Sequence, residues 1–120
     1  MSTLSEKLRS AFRDLDLLRS GWRPDPSIEA TPLDLWFPVS HRGLDLPALA
    51  GDAEHPRLGR SLITTSPVLW LSDDQRLARC LSRWYRLGQP RKVGAIVPVC
   101  SWDDVAGLET RIAGTGREWL

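Results

Sequence analysis

Residues 62–88 read LITTSPVLWLSDDQRLARCLSRWYRLG, and the reading of the second half of that stretch decides the fold. Residues 62–71 are dense in β-branched and aromatic side chains, which suit a pleated surface, and form the best strand in the chain. Two readings compete beyond it. In the first, Ser72 and Gln75 make a capping box, and Leu77, Cys80, Leu81, Trp84 and Leu87 line the apolar face of a helix that Gly88 closes. Arg76, Arg79, Arg83 and Arg86 then fall on one stripe. In the second, Ser72-Asp73-Asp74-Gln75 is a hairpin turn and residues 77–87 pair back on the first strand. Periodicity alone leans towards the helix.

Ile63-Thr64-Thr65-Ser66 and Leu81-Ser82-Arg83-Trp84-Tyr85-Arg86-Leu87-Gly88 also carry a likeness. The chain resembles a family of small bacterial proteins that share a domain of unknown function. In that family a Thr-Ser precedes an apolar strand, and a Ser-Arg-aromatic-Tyr-Arg-Leu-Gly segment follows. Glu54-His55-Pro56 is similar to the family's Gly-His-Pro, with Glu standing where the family has Gly. The resemblance covers residues 54–90, implies a β-hairpin and brings no activity with it. It turns the reading to a hairpin near residues 61–87, with a helix over residues 73–87 as the alternative.

Working outward, the N-terminus is a clear amphipathic helix over residues 3–20. Thr3 and Glu6 form a capping box, Leu4, Leu8, Phe12, Leu15 and Leu18 recur at helical spacing, and Gly21 stands at the C-terminal cap. Lys7, Arg9, Arg13, Asp14 and Asp16 face water on this reading. Trp22-Arg23-Pro24-Asp25-Pro26 ends the helix, because two prolines exclude its continuation. Residues 33–39 alternate as a strand that Pro38 places at an edge or near its end. Ser40-His41-Arg42-Gly43 is a turn, residues 44–50 a second short strand, and residues 51–60 a polar loop. VGAIVPVC at residues 93–100 has the length of a strand. Ser101 and Asp104 cap a final helix over residues 102–113, where Trp102, Val105, Leu108 and Ile112 share a face. The fold class is α+β: an N-terminal helix, a small antiparallel sheet within residues 33–100, and a short C-terminal helix. Its 120 residues suit one domain spanning residues 1–120.

Charge is uneven. Sixteen basic and fifteen acidic residues leave a net +1, yet residues 76–92 hold Arg76, Arg79, Arg83, Arg86, Arg91 and Lys92 with no acid. A local basic patch on a neutral protein is a more specific signal than a basic isoelectric point. Arg79, Arg83, Trp84, Tyr85, Arg86, Arg91 and Lys92 form the expected binding surface, since cations beside aromatic faces suit acidic groups or nucleic-acid single strands. Of six tryptophans, Trp36, Trp70, Trp84 and Trp102 lie inside periodic elements and are expected in or against the core. Trp22 and Trp119 either dock back onto the fold or belong to an interface, where Trp and Arg are enriched.

Other chemistries find little support. Cys80 and Cys100 lie far apart with no CxxC, so they read as buried, reduced thiols rather than a zinc or dithiol site. His41 and His55 have no partner at the spacing of a helical metal site. Ser66, His55 and Asp73 assemble a triad only on paper. Asp73-Asp74 fits a turn and Asp103-Asp104 the first turn of a helix. Gly114-Thr115-Gly116 lacks the strand and helix of a phosphate loop. No run approaches the roughly 18–20 apolar residues of a membrane span, and no secretory core is present, so a cytoplasmic location is expected. The sequence thus points to a small non-catalytic binding protein without cofactor or metal. Its expected partner is a protein, on the pattern of an anti-CRISPR-like inhibitor or an accessory factor of a nucleic-acid machine. A nucleic-acid-binding regulator using the same patch is the alternative, and a homo-oligomer is compatible with either.

Overall fold

The computed structural model describes residues 3–55 and 59–115. Helix α1 (Leu4–Arg19) begins where expected: Thr3 Oγ1 accepts the Glu6 N–H at 3.1 Å, and the same hydroxyl reaches Glu6 Oε1 at 3.2 Å. Its apolar stripe of Leu8, Ala11, Leu15 and Leu18 is buried. Six strands follow: β1 (Thr31–Ser40), β2 (Pro47–His55), β3 (Gly59–Thr64), β4 (Val68–Leu71), β5 (Leu77–Cys80) and β6 (Trp84–Leu87). They form one sheet in the order β3-β2-β1-β6-β5-β4. All pairs are antiparallel except β1 with β6, where Thr31, Pro32 and Leu33 run parallel to Tyr85, Arg86 and Leu87. The fold is α+β, and its sheet is mixed and larger than the small antiparallel sheet expected from sequence.

The hairpin expected near residues 61–87 is met in part: β4 and β5 pair antiparallel, whereas β6 pairs with β5 and β1 rather than with the first limb. Ser72 Oγ accepts the N–H groups of both Arg76 and Leu77, at 3.1 and 3.0 Å, and donates to Asp74 Oδ1 at 2.6 Å, which builds a β4–β5 turn. The second limb is itself two strands, β5 and β6, folded at Leu81-Ser82-Arg83. The first limb is also broken. Residues 62–71 form no single strand, because Thr65-Ser66-Pro67 turns the chain between β3 and β4.

That corner organises the sheet. β3 and β4 are its two edges, yet only three residues join them, so the sheet curls and brings β4 against β2. Thr65 N–H donates to Leu49 O at 2.7 Å, and Thr65 Oγ1 accepts Leu49 N–H at 3.0 Å. Ser66 Oγ accepts Ser82 N–H at 2.9 Å, and Leu81 N–H donates to Pro67 O at 3.0 Å. The curl encloses an inner core that includes Leu33, Trp36, Leu49, Val68, Cys80 and Tyr85. On its outer face α1 packs against Leu69, Leu81 and Trp84, and against helices α2 (Trp102–Ala106) and α3 (Leu108–Thr115). The expected single C-terminal helix is divided at Gly107. Its cap is as expected: Ser101 Oγ accepts Asp104 N–H at 3.1 Å, and Asp104 Oδ2 accepts Ser101 N–H at 3.0 Å.

Three further expectations need correction. Residues 51–55 belong to β2, extending it through part of the expected polar loop. Residues 93–99 form no strand: Gly94 has φ +80°, and Val93 and Ile96 are 87% and 89% exposed. Trp102 is 53% exposed rather than packed in the core, with the Arg19 guanidinium 3.9 Å above its ring. Trp119 and Pro56 lie outside the described residues.

Burial fixes the state of the thiols and of one phenol. Cys80, Cys100 and Tyr85 are each pushed up to about 12, from ordinary values of 9.0, 9.0 and 10.0, and desolvation is the first cause in every case. Above about pH 9 the unfolded chain begins to lose these protons while the folded chain keeps them. The folded state then binds more protons, so stability, complete below pH 9, falls as pH rises towards 12. Each group fully ionised in the unfolded chain takes away about 1.4 kcal/mol per pH unit. Urea titrations between pH 8 and pH 11 (a window set by these shifts, in about half-unit steps) should show this decline. A flat profile would contradict the burial of all three groups.

Candidate functional site

The seven residues of the expected surface are distributed over three places. Arg79 and Trp84 are a cross-strand pair on the face that α1 covers, and both are buried. Tyr85 alternates to the opposite face and enters the inner core. Arg86 is exposed and donates to the carbonyls of Pro26 and Ile28 at 3.2 and 3.1 Å, holding the segment that leads into β1. Arg91 and Lys92 lie in the exposed loop after β6. Arg91 is fixed over Phe37 at 4.6 Å, with its backbone N–H on Trp36 O at 2.8 Å. The seven residues are therefore not one continuous basic-aromatic patch. A helix would have aligned the arginines, whereas two strands and a turn send them in different directions.

One part of the set is brought together in a cleft of about 420 Å³. Lys7, Ser10 and Asp14, spaced three and four apart, form one stripe of α1. Glu29, Ala30, Thr31, Arg79, Ser82, Arg83 and Trp84 complete the lining. Arg79 is 3% exposed. Its Nε stands 3.1 Å from Asp14 Oδ2, which is ion-pair distance, but the Nε–H is not aimed at that oxygen and meets no acceptor. Nη2 is a long 3.5 Å from Ser10 Oγ, and the guanidinium carbon lies 5.6 Å from the Trp84 ring centre. Burial draws the Arg79 pKa down, and the neighbouring Asp14 carboxylate opposes that shift.

Arg83 differs from its neighbours. Ser82 ties to Ser66, Trp84, Tyr85 and Leu87 fill cores, and Arg86 holds the Pro26–Ile28 carbonyls. Gly88 leaves room for the Asp34 carboxylate, whose Oδ1 would stand 2.5 Å from a Cβ there. Each of these side chains, or the lack of one, serves the fold. The Arg83 side chain is exposed and its guanidinium makes no hydrogen bond or ion pair among the described residues, although its backbone carbonyl accepts the Cys80 N–H at 3.0 Å; the Lys7 ammonium likewise makes none. The cleft thus holds three cations against two carboxylates, with two of the cations uncommitted. Trp84 makes T-shaped contacts with Trp22 and Trp70, with ring centres 6.4 and 6.0 Å away, and is buried. Trp22 thereby docks onto the fold while remaining exposed.

Lys7, Ser10, Asp14 and Glu29 were not among the expected site residues. Asp14 was read as facing water, and nothing in the local sequence announces that it meets Arg79, 65 positions away. Other sites offer less. A crevice of about 170 Å³ between α1 and the C-terminal helices is lined by apolar side chains with Asp16 and Glu109, and no cation lines it. His41 Nδ1 accepts the N–H groups of Gly43 and Leu44 at 3.2 Å each, which assigns it to the β1–β2 turn. No group of three or more His, Cys, Asp or Glu converges among the described residues. No described helix is long and apolar enough to cross a membrane.

No protein-family model matches the chain, and no curated protein or solved structure is significantly similar to it.

Proposed function

We propose that this chain is a non-catalytic binding protein that grips an acidic segment of a protein partner in the cleft formed by Lys7, Arg79 and Arg83. The observation that carries the reading is the buried Arg79 Nε–H, which has no acceptor of its own. A buried donor left unmet is costly, and a carboxylate entering the cleft supplies the missing acceptor. Lys7 and Arg83, already free of internal partners, add the charge that draws it in. Burial of Trp84 and Tyr85 favours a protein segment over a nucleic-acid strand, because stacking needs exposed aromatic faces. The narrower reading, an anti-CRISPR-like inhibitor or accessory factor of a nucleic-acid machine, rests on small size and concentrated arginine, and copurification with such a machine tests it. The likeness of residues 54–90 to small bacterial proteins, and a cytoplasmic setting for the free, buried Cys80 and Cys100, belong to the same proposal.

The test is fluorescence anisotropy with a labelled oligoglutamate peptide and with single- and double-stranded oligonucleotides at two salt concentrations. Wild type should bind the peptide, and Arg83→Glu should weaken that binding at least about tenfold, or about 1.4 kcal/mol. Its stability should stay within about 0.5 kcal/mol of wild type, since Arg83 is exposed and unpaired. Oligonucleotide binding that falls steeply with salt would establish the nucleic-acid reading instead. Binding that Arg83→Glu leaves unchanged would remove the cleft from either reading.

A further inference from the structure

Strand β3 (Gly59–Thr64) carries a second kind of information, independent of the cleft. It is an edge of the sheet and pairs with β2 alone. Thr65 N–H donates to Leu49 O, and the β2–β3 register keeps Leu49 opposite Thr65 by extension from Ala50 opposite Thr64. In an antiparallel ladder, hydrogen-bonded and non-bonded pairs alternate. Ser61 and Ile63 therefore point their backbone groups at β2, whereas Arg60, Leu62 and Thr64 point theirs outward, where none meets a partner among the described residues.

Natural edge strands are guarded by lysine, proline, bulges or very short length. β3 has six residues, no proline, no lysine and a continuous register. Its one charge, Arg60, is already held by Asp34 of its own chain at 3.1 Å. Leu62, at the middle of the outward set, is 61% exposed. An unguarded edge with its charge neutralised and an aliphatic side chain at its centre is built to be extended.

We infer that β3 pairs antiparallel with β3 of a second copy of this chain, about a two-fold axis at Leu62. A two-fold axis normal to the sheet places like faces together, so residues of the same parity must meet. Two registers pair five residues. The one centred on Ser61 sets Leu62 against Arg60 and leaves Thr64 without a partner. The one centred on Leu62 sets Leu62 beside Leu62 and Arg60 beside Thr64, and it engages the outward N–H and C=O groups of all three residues. The second satisfies more of the backbone and brings no like charges opposite one another, which selects it.

The register is open to a direct test. Leu62 residues facing each other in a hydrogen-bonded pair stand about 5.5 Å apart at Cα, within the range a disulfide spans. Leu62→Cys should therefore form a covalent dimer under mild oxidation, and Thr64→Cys, which faces Arg60, should not. The native thiols are buried and do not compete. Sedimentation equilibrium of the unmodified protein should report twice 13.5 kDa at high micromolar concentration. Leu62→Lys should return it to 13.5 kDa with an unchanged circular dichroism spectrum. A wild-type monomer at every concentration, a dimer that survives Leu62→Lys, or equal cross-linking at both cysteine positions would each overturn the inference.

Discussion

Asp14→Ala is expected to be the most destabilising single change at the cleft, lowering stability by about 3–5 kcal/mol. Arg79 is buried beneath α1, and the Asp14 carboxylate 3.1 Å away is its one ion-pair partner among the described residues. Removing that carboxylate leaves a mostly buried guanidinium without its charged partner. For a chain of this size the loss corresponds to a fall in Tm on the order of 10–20 °C. Asp14→Asn, which keeps an acceptor oxygen, should lose less. Replacing both partners together, Asp14→Leu with Arg79→Met, should recover most of the loss, because a well-packed apolar pair is often as stable as a buried ion pair. Thermal melts of the four proteins check this ordering. A single variant that melts with the wild type would mean that the ion pair is solvated. If the double variant is stable but no longer binds the acidic peptide, the buried arginine serves recognition and not the fold.

Gly51→Ala should cost about 3 kcal/mol, the upper end of what overpacking a core removes. β1 is irregular between Asp34 and Phe37, where Leu35 adopts φ +48°, a left-handed backbone uncommon for a bulky residue. That irregularity presses β1 against β2. A Cβ on residue 51 would stand 2.9 Å from the Asp34 carbonyl oxygen, 3.0 Å from Leu33 Cγ and 3.1 Å from Trp36 Cα. Two of the three are backbone atoms, which move only with the strand. Gly88→Ala makes the informative contrast. Its Cβ would lie closer still, 2.5 Å, but against the tip of the Asp34 side chain. That tip can rotate away at the loss of the Gln89 N–H and Arg60 contacts, so about 1 kcal/mol is expected. Urea denaturation should rank Gly51→Ala as the worse of the two, and the reverse order would contradict this account of the β1 irregularity.

The parts of this fold that were legible from sequence are the parts whose signals are local. α1 announces itself through Thr3, Glu6 and the leucine spacing, and the Ser101–Asp104 cap through the same chemistry. Ser72, whose hydroxyl serves either a helix cap or a turn, left residues 73–87 ambiguous, and the helical spacing of Leu77, Cys80, Leu81, Trp84 and Leu87 misleads because the segment is two short strands joined by a turn. The corner at Thr65-Ser66-Pro67 was missed because β-branched residues lie on both sides of it, and only the pairing of Thr65 with Leu49 shows that the chain turns. The parallel β1–β6 pair joins residues more than fifty positions apart and has no local trace. The apolar run at residues 93–99 misleads for the opposite reason: its composition suits a strand, but both neighbours of β1 are already β2 and β6.

The candidate site was legible to the same degree. Arg79, Arg83 and Trp84 were marked by charge concentration, and they do line the cleft. Composition could not say that Trp84 and Tyr85 turn inward, or that Lys7 and Asp14 come from the opposite end of the chain to complete the site. Side-chain direction follows from strand alternation, and that was fixed only once β5 and β6 were distinguished.

The measurement that bears most directly on the central claim is the ¹H–¹⁵N spectrum of the arginine side chains during titration with the oligoglutamate peptide. Arg79 Nε–H is buried and unbonded, so its resonance should be visible and shielded from solvent exchange in the free protein. The account predicts that it moves downfield as a carboxylate takes the open position, and that Arg83→Glu abolishes the movement. Peptide binding with the Arg79 resonance unmoved, or no binding at low salt, would contradict the assignment of this cleft as the site.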